Sequence, residues 1–213
     1  MVQIAPSMLA ADFLHLEKDV EMVNANADLF HLDIMDGVFV PNISYGFPVV
    51  EAIAKIACKP LDTHLMIIEP EKYVEKFVKA GSSMVSFHLN ATKDPDAVLA
   101  KIRECGAKAG LVINPDIPVE SLFPHLKNCD YVMLMSVYAG FGGQKFIEET
   151  YGRIKALRAE IDAQGLDIHL EVDGGVSASN AAELIGSGAD ILVAGSAVFK
   201  AEDPADVIAR MRG

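Results

Sequence analysis

The 213-residue chain reads as a single (β/α)₈ barrel. Eight short apolar runs alternate with eight helix-like stretches along its whole length. Repeated βα units imply a parallel sheet with right-handed crossovers. Open doubly wound sheets usually hold about five or six strands, so eight units favour closure into a barrel. Barrels of roughly 200–250 residues commonly form one domain. No linker, low-complexity tract or shift in composition divides residues 1–213, so one domain is expected.

The apolar runs are VQIAPS, LFHLDIMD, PLDTHLMI, MVSFHL, AGLVIN, YVMLMSV, HLEVDGG and ILVAGSAV. Each is rich in Val, Ile, Leu and Met and is as long as a buried strand. The first helix is expected over 12–24, with Asp12 as N-cap and Leu14, Leu16, Val20 and Val23 as its apolar positions. The others are expected near 47–57, 70–80, 95–105, 118–127, 147–163, 179–187 and 204–212. Pro70, Pro95, Pro118 and Pro204 sit where a first helical turn begins.

The net charge of −12 argues against a nucleic-acid partner, which would need clustered Lys and Arg. A phosphate ligand would meet a repulsive overall field and would need local backbone donors. No apolar stretch approaches the roughly 18–20 residues of a membrane span, and the N-terminus lacks the basic region of a signal peptide. Cys58, Cys105 and Cys129 are an odd number without CxxC spacing, so buried free thiols are expected. A soluble cytoplasmic protein is the corresponding expectation.

Barrel enzymes carry their chemistry at the C-terminal ends of the strands. His31 and Asp33 lie two apart near the end of the second run, on one face. His64 ends the third run and Asp173 the seventh, so four ligand-type side chains meet at one rim. Two imidazoles and two carboxylates suit one divalent ion: Zn²⁺, Fe²⁺, Mn²⁺ or Co²⁺. His15 and His125 fall in helical stretches and read as surface residues. His169 shares a face with Asp173 but, at ~3.3 Å per residue, lies ~13 Å below it. Asp62 and Glu171 read as a polar pair inside the barrel, and His88 ends the fourth run within reach of the site.

Three glycine loops follow the last three strands: GFGGQ at 140–144, DGG at 173–175 and AGSAV at 194–198. Barrels often bind phosphate after strands 7 and 8. Gly174, Gly175, Gly195 and Ser196 occupy that place, with Gly142 and Gly143 beside them. Backbone amides would hold the phosphate, since Lys145 is the only basic residue in these motifs.

A metal, two carboxylates and a phosphate anchor suggest proton transfer beside a ketose carbonyl. Asp33 and Asp173 come from distant strands and could flank a planar intermediate, one ionised and one protonated. Met35, Met66 and Met135 end strands nearby, as ordinary packing or as an apolar lining. No lysine ends a strand, which weakens a Schiff-base reading.

Six stretches resemble the ribulose-phosphate 3-epimerase family: APSMLAADF at 5–13, HLDIMDGVFVPN at 31–42, PLDTHLM at 60–66, MSVYAGFGGQKF at 135–146, EVDGG at 171–175 and VAGSAVF at 193–199. The resemblance implies a ribulose-phosphate-binding barrel that interconverts D-ribulose 5-phosphate and D-xylulose 5-phosphate. It implies metal binding by His31, Asp33, His64 and Asp173, with Asp33 as proton acceptor and Asp173 as donor. It places Ser7, His64 and Asp173 against the substrate. It places the phosphate on Gly140, Phe141, Gly142 and Gly143, on Gly174 and Gly175, and on Gly195 and Ser196. A homo-oligomer is also implied.

Two departures stand out. Tyr138-Ala139 replaces the usual Asn-Pro, and Asn90 stands where an acidic residue is common. They leave a ketohexose 6-phosphate such as D-allulose 6-phosphate as an alternative substrate. A phosphate-binding barrel lyase is a rival reading, but the Asp-x-Lys-x-x-Asp pattern of the decarboxylase relatives is missing: Ile34 and Met35 stand in that neighbourhood and no lysine does. A non-catalytic sugar-phosphate sensor is the rival from another class, and loss of a ligand or base would favour it.

Overall fold

The computed structural model describes residues 1–213. Eight strands form the sheet: β1 (Gln3–Pro6), β2 (Phe30–Met35), β3 (Leu61–Met66), β4 (Met84–His88), β5 (Lys108–Ile113), β6 (Tyr131–Met135), β7 (His169–Asp173) and β8 (Ile191–Ala194). Every ladder is parallel, and the order runs β1-β8-β7-β6-β5-β4-β3-β2. A single parallel pairing of Ser7 with His31 joins the two ends of that order, which closes the barrel. The expected fold class is therefore the observed one.

The helices are α1 (Leu16–Asn26), α2 (Phe47–Ala54), α3 (Val74–Lys79), α4 (Pro95–Glu104), α5 (Thr150–Ala163), α6 (Ala181–Ser187), α7 (Ser196–Phe199) and α8 (Pro204–Arg212). Local chemistry explains the sharpest starts. Asp94 accepts the Ala97 N–H at 3.1 Å and Asp203 accepts the Asp206 N–H at 3.0 Å. Pro95 and Pro204 follow these caps, where a missing N–H costs nothing.

Four expectations are corrected. The first helix starts at Leu16 with His15 as N-cap, because the Asp12 carboxylate closes the turn before it through Leu14 N and His15 Nδ1. The stretch 118–127 forms two 3₁₀ helices, Val119–Ser121 and Phe123–Asn128, instead of one α-helix. Pro124 lacks the N–H that a continuous α-ladder would need. Of the three free cysteines only Cys129 is buried, and that burial pushes its thiol up to about 12; Cys58 is exposed. His125 is half-buried rather than a surface residue and meets Asp96 Oδ1 at 2.9 Å through Nδ1.

Alternation along the strands sorts the barrel into layers. Leu32, Ile34, Leu65 and Val85 pack outward against the helices in the main core. Inward, the floor is apolar, built from Ala5, Met84, Tyr131, Ile191 and Val193. Above it lie the fully buried polar groups His31, Asp62 and Glu171. Higher still come Asp33, His64, His88 and Asp173, and then Met35 and Met66 in one apolar cluster and Met135 in another.

Candidate active site

The register of the strands brings the polar residues together. Asp33 of β2 pairs with His64 of β3, and His31 with Asp62. Asp173 pairs with Met135 across β6 and β7. The backbone at Asp33 is fixed by the Ser44 hydroxyl, which donates to its carbonyl at 2.6 Å. The Ser136 hydroxyl bridges the carbonyls of Asp173 and Gly174 at 2.8 and 2.5 Å, which fixes the end of β7.

His31, Asp33, His64 and Asp173 each offer one ligand atom, and these four atoms lie within 4.8 Å of one another. His31 Nε2 is 3.5 Å from Asp33 Oδ1. His64 Nδ1 is 3.3 Å from the same oxygen and 3.9 Å from Asp173 Oδ2. His31 Nε2 is buried and has no hydrogen-bond partner. A buried imidazole nitrogen left without a partner and facing two carboxylates fits a cation better than it fits any protein donor. Ligands about 2.0–2.2 Å from one ion span close to the separation seen here.

The surroundings drive the two carboxyls apart. Burial disfavours charge on Asp33, but the His31 and His64 rings overcome it and hold the carboxyl well below the usual range. Burial and the Asp33 charge push Asp173 up to about 6. The two carboxyls therefore differ in proton affinity, with Asp173 holding a proton more readily than Asp33. His31 works against its burial: Asp33 and Asp62 raise its pKa well above the ordinary value. Deeper in the barrel, burial and the Asp62 charge raise Glu171 far above the carboxylate range. The expected interior pair of Asp62 and Glu171 is therefore one ionised and one neutral group.

The site opens upward into a cleft of about 750 Å³. Its walls include Ser7, Asp33, Asp173, the three methionines Met35, Met66 and Met135, and the glycine loops at Gly140–Gly143, Gly174–Gly175 and Gly195–Ser196. His31 and His64 are fully buried below this surface and do not line it. Gly174 and Gly175 have φ of +115° and +65°, a backbone that side chains rarely adopt. A Cβ added at Gly175 would lie 2.6 Å from Phe146 N, so the turn admits no larger residue without moving.

The loop after β6 is held on several sides. Asn42 donates to Gly140 O at 2.8 Å, and the Ala139 N–H reaches Asn114 Oδ1 at 3.1 Å. Gln144 Nε2 donates to the Tyr138 and Phe141 carbonyls at 2.7 and 2.8 Å. Arg153 fixes the base through Met135 O, Asn114 O and Ile117 O. Sequence reasoning missed Asn42, Gln144 and Lys200 as cleft residues. Lys200 follows Ser196 by four positions, a helical spacing that could have shown it, whereas Asn42 carries no local signal. Lys145 does not line the cleft.

The sequence matches the description "Ribulose-phosphate 3 epimerase family" over residues 3–199. The chain belongs to this family. Ribulose-phosphate 3-epimerase of Synechocystis sp. is 48% identical, over 99% of this chain and 93% of the relative. The protein of that name from Bacillus subtilis is 43% identical, over 100% and 99%. Membership makes the chain an isomerase acting on a sugar phosphate. Solved structures share its fold at low identity. The 3-hexulose-6-phosphate synthase of Salmonella typhimurium superposes with a TM-score of 0.73 at 15% identity, over 99% of this chain and 96% of that one. Orotidine 5'-phosphate decarboxylase of Pyrococcus horikoshii gives 0.73 at 14%, over 99% of each chain.

Proposed function

We propose that the chain epimerises C3 of D-ribulose 5-phosphate to give D-xylulose 5-phosphate, using one divalent metal ion. The observation that carries this is the meeting of His31, Asp33, His64 and Asp173 around one four-ligand centre at the foot of a cleft with glycine loops on its wall, where the surroundings hold the Asp33 carboxyl below the ordinary carboxylate range and raise that of Asp173. His31, Asp33, His64 and Asp173 would hold the ion. A divalent ion there supplies Lewis-acid polarisation of the ketose carbonyl, which acidifies the neighbouring C3–H.

Asp33 takes the C3 proton from one face of the sugar. Asp173 gives a proton to the opposite face of the planar 2,3-enediolate, and the roles exchange in reverse. Met35, Met66 and Met135 exclude water from that intermediate and lower the local dielectric. Ser7 orients Asp33. The backbone amides of the three glycine loops bind the phosphate, with the Lys200 side chain beside them. An acidic protein is served by such an amide cradle because its net charge of −12 repels anions elsewhere.

The same features support a small-molecule rather than a nucleic-acid partner and one barrel domain over 1–213. No helix is long and apolar enough to cross a membrane. The reading is tested by turnover of D-ribulose 5-phosphate beside D-allulose 6-phosphate, before and after chelation. Conversion of the pentulose phosphate that is lost on chelation and restored by metal supports it. No turnover of either sugar overturns it, and preference for the hexulose phosphate replaces the substrate.

A further inference from the structure

Each histidine of the metal cluster has a second nitrogen, and each second nitrogen has its own partner. His31 Nδ1 meets Asp62 Oδ2 at 2.6 Å. Asp62 Oδ1 in turn accepts the Tyr131 hydroxyl at 2.8 Å. His64 Nε2 meets His88 Nε2 at 2.9 Å, with the ring centroids 5.0 Å apart and the ring planes 28° from parallel. All five residues are fully buried.

The chain to His31 crosses the barrel floor. Tyr131 starts β6 and pairs with Gly110 of β5. The ring lies over Gly110 so closely that an added Cβ there would overlap it. Gly110 thus makes the room in which the phenol reaches Asp62, three strands away in sheet order. Burying a tyrosine hydroxyl and a carboxylate inside the barrel is costly unless each is hydrogen-bonded.

We propose that Asp62, anchored by Tyr131, and His88 are positioning residues that fix which nitrogen His31 and His64 present to the metal ion. The proposal rests on the metal reading above. Asp62 keeps the proton of His31 on Nδ1, so the Nε2 lone pair faces Asp33 and the ion. In the corresponding tautomer His88 accepts from His64 Nε2 and carries its own proton on the unpartnered Nδ1, so the His64 Nδ1 lone pair faces Asp33 and Asp173. An outer partner of this kind sets ring orientation and raises ligand basicity. The two histidines are held differently, one by a carboxylate and one by a neutral ring. The chain Tyr131–Asp62–His31 is the stronger of the two, because the acceptor is charged.

The test is metal binding by the metal-stripped protein, read with Co²⁺ and Zn²⁺ by chelator competition and by the visible spectrum of bound Co²⁺. Thermal unfolding of each stripped variant is measured beside it. D62N is expected to weaken the metal Kd by about 10–100-fold, and H88F by about tenfold or more. Y131F keeps the ring and removes only the hydroxyl; it is expected to weaken Kd by a few-fold and to shift the Co²⁺ bands. A purely structural role predicts lower thermal stability with unchanged Kd and spectrum, and that result overturns the proposal. If D62N does not fold, Y131F and H88F decide alone. Absence of metal binding by the wild-type chain overturns the metal reading itself, and is told apart because every variant would then match wild type.

Discussion

The Ser7 hydroxyl donates to Asp33 Oδ2 at 2.5 Å, across the seam where Ser7 and His31 close the barrel. This divides the work of the two oxygens of Asp33. Oδ2 is held by Ser7, while Oδ1 faces His31 Nε2 and His64 Nδ1. A hydrogen bond to a charged group contributes about 1.5–3 kcal/mol. The S7A variant should therefore lose about 10–100-fold in kcat/KM, at about 1.4 kcal/mol per tenfold. Metal content should stay the same. Steady-state kinetics with metal analysis checks this, and unchanged kcat/KM would remove Ser7 from the account.

Asp173 makes stability depend on pH in the metal-free protein. Its folded-state pKa is raised to about 6 from an ordinary 3.8, by burial and by the Asp33 charge. The folded chain thus binds this proton more tightly than the unfolded chain does. The stability it contributes is fully present below the unfolded value and is lost as pH rises through about 6. Denaturant unfolding of the stripped wild type and D173N across roughly pH 4–7 should show wild type losing ground as pH rises, by on the order of 2 kcal/mol. A pH-independent difference contradicts the assignment.

Metal uptake should release protons. Against the opposing effect of burial, Asp33 and Asp62 raise the pKa of His31, which favours the protonated ring when no ion is bound, and a ligand nitrogen must be free of its proton. Affinity should therefore fall as pH is lowered. Calorimetric titration in two buffers of different ionisation enthalpy should report a net release near neutral pH. An identical heat in both buffers would mean that His31 enters the site already neutral.

Two glycines of the cleft should respond differently. At Gly175 the φ of +65° and the nearby Phe146 backbone both oppose a side chain. G175A should cost at least about 1–2 kcal/mol of stability and raise KM for the phosphate substrate. Gly142 has open space around its added Cβ. G142A should keep its melting temperature, so any rise in its KM reports the loop's approach to phosphate. Equal effects on stability at both positions would contradict this geometry.

The barrel was legible because each strand is a self-contained apolar run whose end can be read locally. The same property made His31, Asp33, His64 and Asp173 visible as one rim. What stayed hidden depends on contacts between distant strands. Nothing near Tyr131 in the sequence says that its hydroxyl reaches Asp62, or that Gly110 clears its path. His88 could be placed near the site but not against His64. Asn42 grips Gly140 from 98 residues away. The break at 118–127 was marked by its prolines, yet its apolar spacing imitated an α-helix.

In the proposed reaction Asp33 and Asp173 exchange protons with C3 from opposite faces. Solvent deuterium followed by NMR tests it most directly, with bound metal confirmed in each sample. Wild type in D₂O should form D-xylulose 5-phosphate carrying deuterium at C3. D173N should wash deuterium into C3 of D-ribulose 5-phosphate without forming product, while D33N should do neither from that side. Product formed by D173N at the wild-type rate, or product from wild type without deuterium, would contradict the account.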